Sequence, residues 1–175
     1  FPEALSRDFA SCLIAREHGY RAVSVDAALA LVPRAPSLRV EYRRKVRTMA
    51  RGLSTLAFKR HLLNPLRYGA FSLMLVSHKL CRWLSQLTMP LLMVAAVLTA
   101  IAAPATAPWF SAGAAFVVLL VGVAWWWPGG RPMPRPIAAP GYFIWSIVAG
   151  LMAWLKFLRG EQNPIWEPTR RPGPA

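Results

Sequence analysis

The sequence predicts an α-helical membrane protein, and three observations carry that expectation. Hydrophobic residues make up 55% of the 175 residues, there are eight tryptophans, and the mean hydropathy is positive, which together exceed what a soluble domain of this size needs. No Asp, Glu, Lys or Arg occurs between Arg82 and Arg131, and a second uncharged run lies between Arg135 and Lys156. A crossing of the hydrocarbon core takes roughly 20 apolar residues, so the first run accommodates two crossings and the second one.

Charge is distributed unevenly. The net charge is +14; residues 1–83 hold fifteen Lys and Arg against five Asp and Glu, and residues 84–175 hold six against two. Such a basic segment suits anionic headgroups or phosphorylated substrates, and beside membrane spans it marks the cytoplasmic face. Nucleic acid is not an expected partner, since no nucleic-acid-binding fold signature accompanies the charge. Cys12 and Cys81 stand far apart without metal spacing and read as reduced thiols. The chain opens at Phe1 on residues that read as the middle of a domain, with no signal peptide, so a fragment is expected.

In chain order, Ser6 is a helix N-cap, the helix runs to about His18, and Gly19 stops it. The alternating residues 21–26 then predict a short strand. Helix followed by strand suits the edge of an α/β domain over residues 1–36, closed by the breakers Pro33 and Pro36.

From Ser37 to about Leu63, Leu38, Tyr42, Val46, Met49, Leu53 and Leu56 recur at helical spacing, and Arg44, Arg47 and Arg51 form a stripe of the same period. A basic amphipathic helix beside spans is expected in the membrane interface, apolar face toward acyl chains and arginines toward phosphates or substrate. Asn64 and Pro65 end it. Residues 66–83, interrupted by Arg67, His78, Lys79 and Arg82, are expected to form a second interface helix, with Trp83 at headgroup level. Residues 37–83 thus make an amphipathic region.

The transmembrane region, residues 84–159, is expected to hold spans at about 85–103, 109–127 and 141–158. A turn from Pro104 to Pro108 joins the first two, Trp109 and Trp125 to Trp127 supply an aromatic belt, and residues 128–140 form an irregular loop. Residues 160–175 form a polar, proline-containing tail. Three crossings put that tail opposite the basic N-terminal part, whereas Lys156, Arg159, Arg170 and Arg171 favour the same side. A re-entrant segment, or a deeper position for residues 66–83, would reconcile the two.

No phosphate-binding glycine loop, Ser/His/Asp set or Cys/His cluster is present, and His18, His61 and His78 are scattered. Taken alone, Asp8 in a first helical turn is a structural residue favoured by the helix dipole. Its distance to other residues adds a second reading. Asp8 is followed eleven residues later by Gly19 and Tyr20, and further on by Arg44-Lys45-Val46-Arg47-Thr48 and then Arg51-Gly52. This order and spacing resembles glycosyltransferase family 2, the group of cellulose, chitin, hyaluronan and poly-N-acetylglucosamine synthases. Members carry Thr-Glu-Asp, then Gly and an aromatic, then Gln-x-x-Arg-Trp on an interface helix. Ser77-His78-Lys79, Arg82-Trp83 and Trp166 to Arg171 also look like bacterial members that make exopolysaccharide.

The resemblance implies that residues 1–36 are the C-terminal edge of a GT-A-like α/β domain in a multi-pass protein of the bacterial inner membrane, catalytic side cytoplasmic. It implies a nucleotide-sugar donor, a glycan or lipid acceptor, membrane lipids around the spans and polysaccharide-export partners. Asp8 would be the catalytic base, and Arg44, Arg47 and Arg51 would bind the diphosphate. A divalent metal, Mg or Mn, is expected in the intact enzyme with its ligands upstream of this chain. Ser6-Arg7 replaces Thr-Glu, Arg44 replaces Gln and Thr48 replaces Trp, so aromatic stacking on the acceptor, and processivity with it, is not implied. The competing expectation is a non-enzymatic basic module that anchors to anionic lipid or serves as an assembly subunit.

Overall fold

The computed structural model describes residues 5–30, 37–128 and 131–161, and all regular structure among them is helical. The helices are α1 (Arg7–Glu17), α2 (Leu38–Phe58), the single turn α3 (Pro65–Tyr68), α4 (Ala70–Ala102), α5 (Pro104–Trp126) and α6 (Arg135–Leu158). The last three are long and apolar enough to cross a membrane.

α1 begins where the sequence places it, but its cap works differently. The Ser6 side chain makes no capping bond. Instead its backbone N–H donates to Thr55 Oγ1 of α2 at 2.9 Å. Gly19, with φ of 82°, ends the helix in the left-handed region that a side chain would disfavour. The strand expected at residues 21–26 is absent: these residues are irregular and exposed. A strand is stabilised by a ladder to a neighbour, and no strand lies among the described residues to provide one.

α2 is capped by Ser37, whose hydroxyl accepts from the Val40 N–H. It stops at Phe58, and residues 60–63 tighten into a 3₁₀ turn before Asn64 caps the next turn through the Leu66 N–H. The apolar face read from periodicity exists, with Val46, Leu53 and Leu56 buried. Its partner differs from expectation. Rather than facing acyl chains, it packs along α6 and closes a core of Leu13, Leu53, Leu56, Leu62, Leu75 and Trp83, against which Trp154 and Phe157 of α6 also pack. Side chains that interdigitate at the density of a protein interior leave no room for acyl chains between them.

Residues 66–83 do not form a separate interface helix. After a break at Gly69, with φ of 56°, one continuous helix runs from Ala70 through the first span. A π-helical turn at Val76–Cys81 and a 3₁₀ turn at Ser85–Leu87 interrupt its regularity. Trp83 is 5% exposed, a core residue rather than a belt residue. Its carbonyl accepts from the Trp154 indole N–H at 3.0 Å. Trp109 and Trp126, by contrast, are exposed at opposite ends of α5.

α6 starts six residues before the expected 141, so half of the expected loop 128–140 is helix. Pro136 sits in the first turn, where a missing N–H costs nothing, and Pro140 follows just inside it. Two glycines let α6 approach its neighbours. A Cβ on Gly141 would overlap the Cβ of Ala124, and one on Gly150 would meet Gln86 Cγ at 2.5 Å.

Candidate functional site

Of the residues that the sequence singles out, Asp8 lies on α1 and Arg44, Arg47 and Arg51 lie on α2, and these two helices meet. A short polar chain fastens the two: the Ser6 N–H donates to Thr55 Oγ1, and the Thr55 hydroxyl donates to the Arg51 carbonyl at 2.7 Å. Thr55 is fully buried. At its other end α1 is held by Glu17, whose carboxylate meets Lys59 Nζ and His61 Nε2, each at 2.6 Å. Burial alone would raise the Glu17 carboxyl, but the hydrogen bonds and charges of Lys59 and His61 outweigh it and hold the group below its usual range.

Asp8 lies in the first turn of α1, two residues beyond the anchored Ser6, with an exposed side chain. The arginine stripe runs along α2, and seven residues at 1.5 Å each separate Arg44 from Arg51 by about 10 Å. Arg51 shares a turn with the Thr55 link, and Arg47 lies one turn further back; both are half-buried and engaged by other groups. Arg44 is at the far end, exposed and paired with Glu41 at 2.8 Å. That hydrogen bond, opposed by partial burial, pushes the Arg44 guanidinium further up. The structure therefore associates the Asp8 turn with the Arg51 end of the stripe and commits Arg44 to a neighbour on its own helix.

A second cluster, which the sequence reading missed, lies at the start of α2. The guanidinium of Arg39 stands 4.4 Å from the Trp126 ring centroid and 5.3 Å from that of Trp125, and its Nε donates to the Trp125 carbonyl at 3.2 Å. Trp125 stacks on Trp145 of α6 with centroids 4.0 Å apart, and Tyr42 meets both edge-on. Burial there pushes the Tyr42 phenol up and keeps it neutral. One turn along, Lys45 Nζ donates to Ser146 Oγ at 2.6 Å and lies 3.9 Å over the Tyr142 ring. Cations over aromatic faces are attracted by the ring quadrupole, so these contacts clamp α2 to α5 and α6. Their partners are 86 and 101 residues away in sequence, and no local pattern signals them.

Among the described residues no group of three or more His, Cys, Asp or Glu could hold a metal ion. No chemical step is assigned to the divalent cation that the family resemblance implies. The motif from Trp166 to Arg171 lies outside the described residues. No family model matches this chain, and no curated protein or solved structure matches it either.

Proposed function

We propose that this chain is the membrane-proximal part of an inverting glycosyltransferase that moves a sugar from a nucleotide-sugar to a growing glycan or lipid acceptor, in envelope or exopolysaccharide synthesis at the cytoplasmic face of a bacterial inner membrane. One observation carries the reading. The turn bearing Asp8 is fastened through Ser6 and Thr55 to the turn bearing Arg51, on the helix whose other residues carry Arg47 and Arg44. That tie supports a carboxylate and a row of guanidiniums acting on the same substrate, in the order in which glycosyltransferase family 2 carries them.

In this reading Asp8 takes the proton of the acceptor hydroxyl as its oxygen attacks the anomeric carbon, and the bond from that carbon to the nucleoside diphosphate breaks with inversion. A carboxylate suits the role once the bound acceptor excludes water around it. Arg47 and Arg51 face the leaving diphosphate, where guanidiniums make bidentate, charge-assisted bonds as negative charge develops. Arg44 joins them by exchanging Glu41 for phosphate. Nucleotide and metal binding are assigned to residues outside this chain, and export proteins would receive the product.

The test is sugar transfer by the intact enzyme in isolated membranes. Asp8→Asn is expected to abolish transfer with membrane insertion unchanged, and Arg47→Ala is expected to weaken inhibition by UDP and to slow turnover. Retained transfer by the Asp8 variant would refute the base assignment.

A second reading is favoured by the exposure of Asp8, Arg43 and Arg44. Here the chain is a basic module that holds anionic lipid through its arginines. It predicts that Asp8→Asn changes nothing, while replacing Arg43 and Arg44 lowers retention on phosphatidylglycerol vesicles.

A further inference from the structure

α6 is long and apolar enough to cross a bilayer, yet its neighbours are charged. It runs beside α2, Tyr42 against Trp145 and Leu53 to Leu56 in the same core as Trp154 and Phe157. α2 carries seven charged residues, Arg39, Glu41, Arg43, Arg44, Lys45, Arg47 and Arg51. Ser146, which accepts from Lys45 Nζ at 2.6 Å, lies at the midpoint of α6. A crossing α6 would therefore hold an ammonium group at the centre of the hydrocarbon and draw the arginine stripe in with it, an arrangement that bilayers strongly disfavour.

The α4–α5 hairpin has the opposite character. None of residues 88–119 is buried, and none is charged. Leu91, Met93, Ile101, Trp109, Phe116 and Val118 are each largely exposed. From Trp83 to Ala102 and from Ala107 to Trp126 there are 20 residues each, the length of one crossing. Both feet of this hairpin rest on α6: Gln86 against Gly150, and Ala124 against Gly141. At 33 residues, α4 is about 50 Å long, well beyond the hydrocarbon thickness of about 30 Å. Its first turns, with His78, Lys79 and Arg82, therefore stay outside the hydrocarbon.

We infer that the chain crosses the membrane twice, through the α4–α5 hairpin alone. α6 lies at headgroup level as the platform on which the basic helices pack and from which the hairpin descends. Its buried residues Ile147, Ala149, Gly150 and Ala153 face protein, and Phe143, Met152, Leu155 and Leu158 remain open to the acyl boundary. An even number of crossings sets Lys156, Arg159 and Glu161 on the same face as α1 and α2. This agrees with the positive charge at both ends and removes the conflict that three crossings create. The inference does not depend on the glycosyltransferase reading.

Single-cysteine labelling with a membrane-impermeant maleimide tests it, in intact cells and in inverted membrane vesicles. Cys12, which is exposed, reports the basic module once Cys81→Ser is made. With Cys12→Ser added, Thr106→Cys reports the hairpin turn and Glu161→Cys the residue just beyond α6. Cys12 and Glu161→Cys are expected to label from one side and Thr106→Cys only from the other. Labelling of Glu161→Cys from the same side as Thr106→Cys would overturn the inference, and so would labelling of all three from a single side.

Discussion

The indole of Trp83 covers Gly52 so closely that a Cβ at Gly52 would stand 2.8 Å from the ring. The ring cannot step aside: it is 5% exposed, with Phe9 edge-on at a centroid distance of 6.1 Å and its own carbonyl bound to Trp154. Glycine inside a helix costs about 1 kcal/mol relative to alanine, and here close helix packing repays that cost.

Gly52→Val is therefore expected to destabilise the protein by roughly 1–3 kcal/mol, the usual cost of forcing volume into a packed core. Thermal unfolding in detergent, followed by tryptophan fluorescence, measures it. A variant as stable as the parent would show that the ring has room to move.

Thr55→Val keeps the shape of the side chain and removes its oxygen. The Ser6 N–H then loses its acceptor, which is expected to cost roughly 1–3 kcal/mol. Thr55→Ser, which retains the hydroxyl, is expected to recover most of that loss. Because Thr55 ties the Asp8 turn to Arg51, the proposed enzyme predicts slower sugar transfer by the valine variant at unchanged membrane insertion. Protease protection of α1 and a transfer assay together separate the structural effect from the catalytic one.

The carboxylate of Glu17 joins α1 to Lys59 and His61 and titrates below its usual range. A carboxyl whose folded pKa is depressed contributes stability that is complete above its unfolded pKa and is lost as pH falls through the folded one. Stability is thus expected to decline as pH drops below about 4, the ordinary range of Glu. Glu17→Gln is expected to cost about 1 kcal/mol at neutral pH, the scale of a partly exposed ion pair, and to flatten this acid limb. Urea unfolding across the pH range reads both effects, and an unchanged acid limb in the glutamine variant would assign it to other carboxyls.

How much of this could be read beforehand follows from the range of each interaction. The hairpin was legible because a bilayer imposes a rule on consecutive residues, and the uncharged run from Trp83 to Gly130 obeys it. α2 was legible because an amphipathic face repeats locally. The start of α6 was not, since Arg135, Pro136 and Pro140 read as a loop, although Pro136 in the first turn breaks no bond and the helix carries Pro140 in its second turn. The alternation of residues 21–26 predicts a strand, but alternation says nothing about whether a partner strand is present.

The candidate site divides along the same line. The spacing of Arg44, Arg47 and Arg51 was plain from helical period, whereas the fastening of Asp8's turn through Thr55 joins residues 49 apart. The contacts of Lys45 and Arg39 are not legible in the sequence, because their partners on α5 and α6 come beside them only when the chain folds back.

The sequence by itself determined that this protein is helical, basic at one end and apolar enough to cross a membrane, because composition and local periodicity express those properties residue by residue. Only the tertiary structure decided that the apolar face of α2 meets α6 rather than lipid, that Trp83 is core, and that Lys45 sits at the middle of α6. A periodic pattern states that a face must be covered, and long-range packing chooses what covers it.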